Sequence, residues 1–394
     1  MKIAIYTQNH EPGGGNRYLT DFINAIDSNF EITLICNRNG LFKEDLQRLP
    51  VNVNLVQLDI DSVRLRINKK HNLFVVLIYK IFLKVSINRN IIVKQIRLNN
   101  QKRFSLFFLK NDFDIAIAFN GGFPAALSCF DFLEHAKKKK CITVMSVISM
   151  PAKKIENIYL KTIPLIDYFV VNCKAIKEGL IKRYDISPKI IEILYNCTVL
   201  PKFINKLTIE NEDILRFGFV GRFEKYKGID LLITSFNKAI KQDNKIILFL
   251  HGKKNLKKAS AKIVQESNGK IIINGPFECA INDVYPNIDV LILPSFWEGF
   301  PYVIIEAMAF GCPVIASNVG GISELVNSNR NGYLIEAKNQ QQLIDAILYF
   351  SKKREKLIML GLNAREDIEK RFTPIIFNNR VTQLMSFFMK NDSV

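Results

Sequence analysis

The chain is poor in several things that define common protein classes. Its seven cysteines, at 36, 129, 141, 173, 197, 279 and 312, are odd in number, scattered, and never form C-x-x-C. That argues against a disulfide framework or a thiolate zinc site and for a reducing compartment. Nowhere do about 18 apolar residues run consecutively, so no membrane-spanning helix is expected. The opening MKIAIYTQNHEPGG holds an apolar run too short for a secretion signal and reads as a strand entering a loop, which points to the cytoplasm. Acid is also scarce, with 37 Asp and Glu against 55 Lys and Arg, a net charge of +18. Such an excess suits an anionic surface or anionic substrates. Zinc-finger spacing, a basic zipper and an aromatic strand motif are all missing, so nucleic acid is not expected as a partner.

What is present is apolar and regularly alternating. With 394 residues, 48% of them hydrophobic, the chain can bury two cores. Short apolar strands alternate with helical segments throughout, which predicts an α/β class of two doubly wound domains. Strand candidates in the first half are Lys2–Tyr6, Ile32–Cys36, Ile115–Phe119, Cys141–Met145 and Tyr168–Val171. The polar, aperiodic Pro201–Asp213 reads as a linker, and Leu215–Val220 opens the second domain. The expected division is 1–204, 205–374, and a last segment 375–394.

The most informative stretch is Pro294–Ser317, PSFWEGFPYVIIEAMAFGCPVIAS, in which Glu298 and Glu306 stand eight residues apart around a Gly-Phe-Pro turn. Asp289–Pro294 (DVLILP) reads as a strand buried on both faces. Pro301 suits the first turn of a following helix, and Gly311 with Pro313 marks its end before the strand Pro313–Ser317. The N–H groups near Gly299, Phe300, Pro301 and Tyr302 then lie at a helix N-terminus, where an anion such as phosphate is favoured. At a rise of about 1.5 Å per residue the two carboxylates would stand roughly 8–12 Å apart on either side of it. A nucleotide-sugar fits: diphosphate at the helix start, hexose hydroxyls at one glutamate, ribose hydroxyls at the other. An ordinary amphipathic helix with a solvated glutamate is the plain alternative.

A second motif, Phe217–Phe236 (FGFVGRFEKYKGIDLLITSF), places Arg222 and Lys227 after a buried strand, framed by Gly221 and Gly228. Ligands of open α/β sheets bind at the carboxyl ends of strands, and an Arg fork with a Lys point charge suits a diphosphate. Two solvated surface cations are the bland reading. A glycosidase or sugar-nucleotide hydrolase or epimerase using Glu298 and Glu306 remains open, as does a binding protein without catalysis. A diphosphate clamp has no use in a glycosidase.

Gly221-Arg222 with Lys227-Gly228, and Glu298-Gly299-Phe300 with Glu306-Ala307, resemble the G-R-x(4)-K-G and E-G-F-x(5)-E-A motifs of family-four retaining glycosyltransferases. A glycine-rich turn near Gly13, Ile186-Ser187-Pro188-Lys189 before Tyr195-Asn196, and Gly320-Gly321-Ile322-Ser323-Glu324-Leu325 follow in the family's order. The resemblance implies a GT-B fold, two Rossmann-like domains facing each other across a cleft, with a last helix returning to the first. It implies retaining transfer of a hexose from a UDP-sugar, or a GDP-sugar, to a lipid-linked oligosaccharide or polysaccharide precursor, as in O-antigen, capsule or exopolysaccharide assembly. No cofactor is expected: Arg222, Lys227 and the helix N-terminus would take the part of magnesium on the diphosphate. Glu298 would hold the hexose and Glu306 the ribose.

In the first half, Glu11-Pro12-Gly13-Gly14-Gly15-Asn16 follows strand one, and Gly14 and Gly15 allow backbone to approach a phosphate. The family's glutamate after the glycine pair is replaced by Asn16 or Arg17. Many relatives carry His or Asp at the end of the strand Ile142–Ser146, where Met145 and Ser146 stand here. Among the histidines, His10 leads into the glycine loop, His71 has no evident role, His135 reads as part of a solvated helix, and His251 follows a strand.

Between Arg64 and Lys110 there are twelve Lys or Arg and no acid, and Asn72–Ile87 (NLFVVLIYKIFLKVSI) lies inside this stretch. Phe74, Leu77, Ile78, Ile81 and Phe82 share helical spacing beside Lys80 and Lys84. Such a helix would rest on an anionic leaflet, or else pack on the first sheet with its lysines solvated. The expected location is therefore peripheral, on the inner face of the cell membrane. Lys137–Lys140 reads as a solvated turn before a strand.

Overall fold

The structure, a computed structural model, describes residues 1–8, 13–37, 48–62, 86–120, 123, 126–152, 157–202, 214–252, 256–275 and 283–390. His10, His71, the span 72–85 of the greasy basic segment and most of the expected linker lie outside these residues. The chain divides into two compact units. One comprises Met1–Asn172, Ile176–Leu194 and Asn378–Val394, the other Cys173–Ala175 and Tyr195–Phe377.

The first unit is built on strands β1 (Lys2–Thr7), β2 (Glu31–Asn37), β3 (Asn54–Leu58), β4 (Ile115–Asn120), β5 (Ile142–Val147), β6 (Tyr168–Val171) and β7 (Ile191–Ile193). They form one sheet in the order β3-β2-β1-β4-β5-β6-β7, and each neighbouring pair is parallel. The unit's helices are α1 (Gly14–Ala25), α2 (Ser86–Lys110), α3 (Leu127–Lys138), the single turn Asn157–Leu160 and, from Ile176 onward, α4 (Lys174–Tyr184), whose first two residues belong to the second unit. A parallel strand covered on both faces needs apolar residues at successive positions, and Ile3, Ala4, Ile5 and Tyr6 of β1 are all fully buried. Tyr6, Phe104 of α2 and Phe132 of α3 meet with ring centroids 5.2–5.5 Å apart.

Three local expectations need correction here. Gly14 and Gly15 are the first residues of α1, not part of a loop ahead of it, since Asn16 and Arg17 N–H already donate to Gly13 O. The strand expected to end at Met145 runs to Val147, because its ladders continue on both sides, to Asn120 of β4 and to Val171 of β6. His135 is half-buried and not solvated, its imidazole pKa lowered by burial.

The second unit holds β8 (Leu215–Val220), β9 (Ile246–His251), β10 (Ile271–Gly275), β11 (Val290–Leu293), β12 (Val314–Ser317) and β13 (Gly332–Ile335). Their order is β10-β9-β8-β11-β12-β13, again parallel throughout. Helices α5 (Ile229–Ile240), α6 (Lys258–Glu266), α7 (Tyr302–Ala309), α8 (Gln340–Lys352), α9 (Glu355–Arg371) and α10 (Pro374–Lys390) follow. In α5 the buried Ile229, Leu232, Ile233, Phe236 and Ala239 recur at helical spacing, which turns that face onto the sheet. From Asn378 onward α10 belongs to the first unit.

Both sheets share one topology. The second strand of each winds outward to one side of the first, and the fourth lies on the other side, so the order reverses between β1 and β4 and between β8 and β11. At such a switch point the loops leaving the strand ends diverge and open a crevice for ligands.

Candidate functional site

In the second unit the crevice is flanked by the loops after β8 and β11, the two segments singled out in the sequence. After β8 the chain makes a single 3-10 turn, Lys225–Lys227, and reverses at Gly228, whose φ of 73° is left-handed. A Cβ on Gly228 would collide with the carbonyl oxygen of Pro294 at the end of β11, so only glycine lets the two loops close. The Phe296 N–H donates to Tyr226 O at 2.7 Å, a backbone link between the loops.

This link brings Lys227 to Glu298. The Lys227 ammonium donates to Glu298 Oε1 at 2.7 Å, and Ser295 Oγ donates to the same oxygen at 2.7 Å. Glu298 Oε2 has no hydrogen bond among the described residues. The pair is sheltered, with side-chain exposures of 17% and 9%. Lys227 also lies over the Tyr226 ring, 5.4 Å from its centroid. Burial raises the Tyr226 hydroxyl to about 12, keeping it a neutral donor and acceptor. Arg222 is more exposed: it donates to Tyr226 Oη at 2.8 Å and pairs with Glu224 at 3.5 Å. Arg222 and Lys227 are thus joined through Tyr226.

The next loop, after β12, seals the floor. Gly321 N–H donates to Gly299 O at 2.8 Å, and Gly320, with φ of 56°, has no room for a Cβ against Glu298 O. Beyond it Glu324 accepts from the N–H groups of Lys174 and Ala175 and from Tyr195 Oη. Phe300 is a packing residue, buried between Tyr195 and Phe372, its carbonyl held by Asn196 Nδ2 at 2.6 Å. Pro301 lies immediately before α7 and not within its first turn: its φ of −75° and ψ of 122° are extended, and the helix begins at Tyr302. The side chain of the N-cap residue does not cap the first α7 turn. Glu306, one turn further, is buried and accepts from Tyr285 Oη at 2.6 Å.

The structure therefore joins Lys227 with Glu298 and Arg222 with Tyr226, and gives Glu306 a partner from a separate segment. Ser295, Tyr226 and Tyr285 were not selected from the sequence. Ser295 and Tyr226 lie within the motif segments, but a serine or tyrosine there carries no spacing signal of its own. Tyr285 is distant in sequence and reaches Glu306 only through the fold.

In the first unit Gly14 and Gly15 open α1 beside the β1/β4 switch point. Met145 and Ser146 are buried in β5, and Ser146 Oγ has no hydrogen-bond partner among the described residues. His251, the last residue of β9, is buried with its pKa lowered by desolvation, 3.4 Å from Asn274 Nδ2. The chain contains two D-x-D triplets, Asp59–Asp61 and Asp112–Asp114, both in the first unit. Asp114 caps the Lys2 N–H, and the backbone of Asp61 is tied to Asn100.

Residues 202–367 match the family model described as glycosyl transferases group 1. An uncharacterized glycosyltransferase of Methanocaldococcus jannaschii is 34% identical over 173 residues, 43% of this chain and 48% of that protein. The capsular polysaccharide biosynthesis glycosyltransferase CapM of Staphylococcus aureus is 27% identical over 179 residues, 44% of this chain and 46% of its own. The chain thus spans about half the length of these curated relatives. Over the whole chain, the crystal structure of Anabaena HepE in complex with UDP superposes with a TM-score of 0.71 at 18% identity, covering 98% of this chain and 100% of that one. With two parallel Rossmann-like sheets, the protein has the GT-B fold, and its segment 202–367 matches the glycosyl transferases group 1.

Proposed function

We propose that the protein transfers a hexose, with retention of anomeric configuration and without a metal ion, from a nucleotide-diphospho-sugar to a hydroxyl of a lipid-linked glycan precursor. UDP-sugars are the first choice of donor and GDP-sugars the second. The carrying observation is the sheltered Lys227–Glu298 pair at the β8/β11 switch point, with one carboxylate oxygen left for a hydroxyl.

In this reading the donor diphosphate meets Lys227, Arg222 and the N–H groups at the start of α7, beside Gly299, Pro301 and Tyr302. The ammonium has three donors and gives one to Glu298, so others remain for phosphate oxygens. Phe300 contributes its backbone and the packing that fixes it. Glu298 Oε2 accepts from a hexose hydroxyl, and Glu306, held by Tyr285, takes the ribose hydroxyls. As the bond from the anomeric carbon to the phosphate oxygen breaks, negative charge grows on the diphosphate and the fixed cations stabilise it. The acceptor oxygen bonds to the same face of that carbon, and its proton passes to the departing diphosphate. Glu298 is a positioning carboxylate here: its Oε1 is already committed to Lys227 and Ser295, unlike the acid of a hydrolase pair. Gly14 and Gly15 would offer backbone N–H groups to an anionic part of the substrate. The S. aureus relative's role in capsular polysaccharide biosynthesis suits a capsule, O-antigen or exopolysaccharide precursor as acceptor, and hence work at the inner face of the membrane.

Trp297, the one tryptophan of the chain, adjoins Glu298 and serves as a binding probe. Titrating UDP-, GDP- and ADP-sugars against its fluorescence identifies the donor. Glu298→Gln should retain nucleotide binding and lose transfer by on the order of 100-fold, whereas Lys227→Ala should lose both. Transfer by both variants at the wild-type rate would end this assignment.

A further inference from the structure

Helix α2 is apolar on two opposite faces, one buried and the other exposed. Its inner face buries Ile92, Val93, Ile96, Phe104, Phe107 and Phe108. Arg97 bonds Glu134 and stands 3.8 Å from Asp131, while Asn100 donates to Asp131 at 3.3 Å and exchanges bonds with the Asp61 backbone. The helix is therefore fixed without its outer face. On that face Ile91, Leu98, Leu106 and Leu109 are 62%, 54%, 53% and 68% exposed. At 3.6 residues per turn Ile91, Leu98, Lys102 and Leu109 fall within about 20° of one line, with Lys94 and Leu106 at its margins. The stripe runs for about 27 Å along the helix.

Charge decides what such a stripe fits. Residues 86–110 contain six Lys or Arg and no Asp or Glu. The acids packed against the helix, Asp131 and Glu134, face inward to Arg97. A second copy laid on this face would set lysine against lysine with no acid of the helix between them. Protein interface centres are depleted in lysine, whereas an anionic bilayer accepts both groups together. Leucines enter the acyl boundary and lysine stems run along it to bring their ammonium groups to the lipid phosphates.

We propose that the outer face of α2, Ile91, Leu98, Leu106 and Leu109 with Lys94 and Lys102, is a docking surface for an anionic lipid bilayer. It rests on the reading of the protein as one that works at a membrane surface, but on none of the residues assigned to the donor. It also differs from the segment 72–87 expected from hydropathy alone.

The test is partition of the full chain onto sedimenting vesicles of phosphatidylglycerol mixed with phosphatidylcholine, against phosphatidylcholine alone. Wild-type protein should bind the anionic vesicles and not the neutral ones. A Leu98→Gln, Leu106→Gln, Leu109→Gln variant and a Lys94→Glu, Lys102→Glu variant should each bind at least about tenfold more weakly. Because these side chains are exposed, both variants should keep the wild-type melting temperature and the Trp297 response to UDP. Partition equal on both vesicle types, or unchanged in both variants, would overturn the proposal. So would a wild-type dimer that the leucine variant converts to monomer. Loss of the UDP response in wild-type protein bears on the donor site alone.

Discussion

Single residues matter most here where backbone or charge has no alternative. Gly228 combines a left-handed φ with contact to Pro294 O, so Gly228→Ala should cost about 1–3 kcal/mol from conformation alone, before the clash is counted. Urea unfolding followed at Trp297 measures this directly, and an unchanged midpoint would contradict it. Asp131 poses the opposite problem of charge. It is fully buried on α3, and burial pushes its pKa up to about 8, despite opposing hydrogen bonding from Asn100 and the Arg97 charge. In the unfolded chain it titrates near 3.9. Between about pH 4 and pH 8 the folded state keeps a proton that the unfolded state has released, so this group's stabilising contribution falls as pH rises through that window. Asp131→Asn mimics the protonated form and cannot release it. Wild type should lose stability relative to this variant between about pH 5 and pH 8; parallel curves would refute the ionisation argument.

At the level of elements, α7 shows how end signals fix a short helix. Gly311 at φ of 73° and Cys312 send their N–H groups back to Met308 O and Ala307 O, the paired bonds of a Schellman ending, before Pro313 starts β12. This end was legible because Gly and Pro have few alternatives, whereas the start was shifted by one residue because Pro301 is tolerated on either side of the boundary. Helix α10 is held differently. Tyr168 packs on Phe387 and Phe388 at 5.2 and 4.9 Å, Val381, Leu384 and Met385 are buried, and Arg380 bonds Glu192. Each buried apolar side chain contributes about 1.5–3 kcal/mol, so their sum is comparable with the whole stability of a domain, about 5–15 kcal/mol. Ending the chain at Phe377 should therefore unfold the first unit. Circular dichroism would show the loss, while the Trp297 unfolding transition of the second unit should persist; a native spectrum would refute this.

Across the whole molecule, each unit carries its own parallel sheet, its own core and its own switch point. The proposed roles divide accordingly: Lys227 and Glu298 lie on loops of the six-stranded sheet, while the exposed outer face of α2 belongs to the seven-stranded unit. Among the described residues no helix is long and apolar enough to cross a membrane.

The sequence by itself determined the α/β class, the strands from Lys2 to Ser317 that it named, and the segments bearing Arg222, Lys227, Glu298 and Glu306. Those features are local: apolar runs, glycines and prolines act on their own few residues. Tertiary structure alone decided that Lys227 binds Glu298, that Ser295 shares the same oxygen, and that Tyr285 reaches Glu306. It also decided which side of α2 is left outside, because burial depends on what the rest of the chain packs against each face. Periodicity gives a helix its faces, and only packing says which of them remains open.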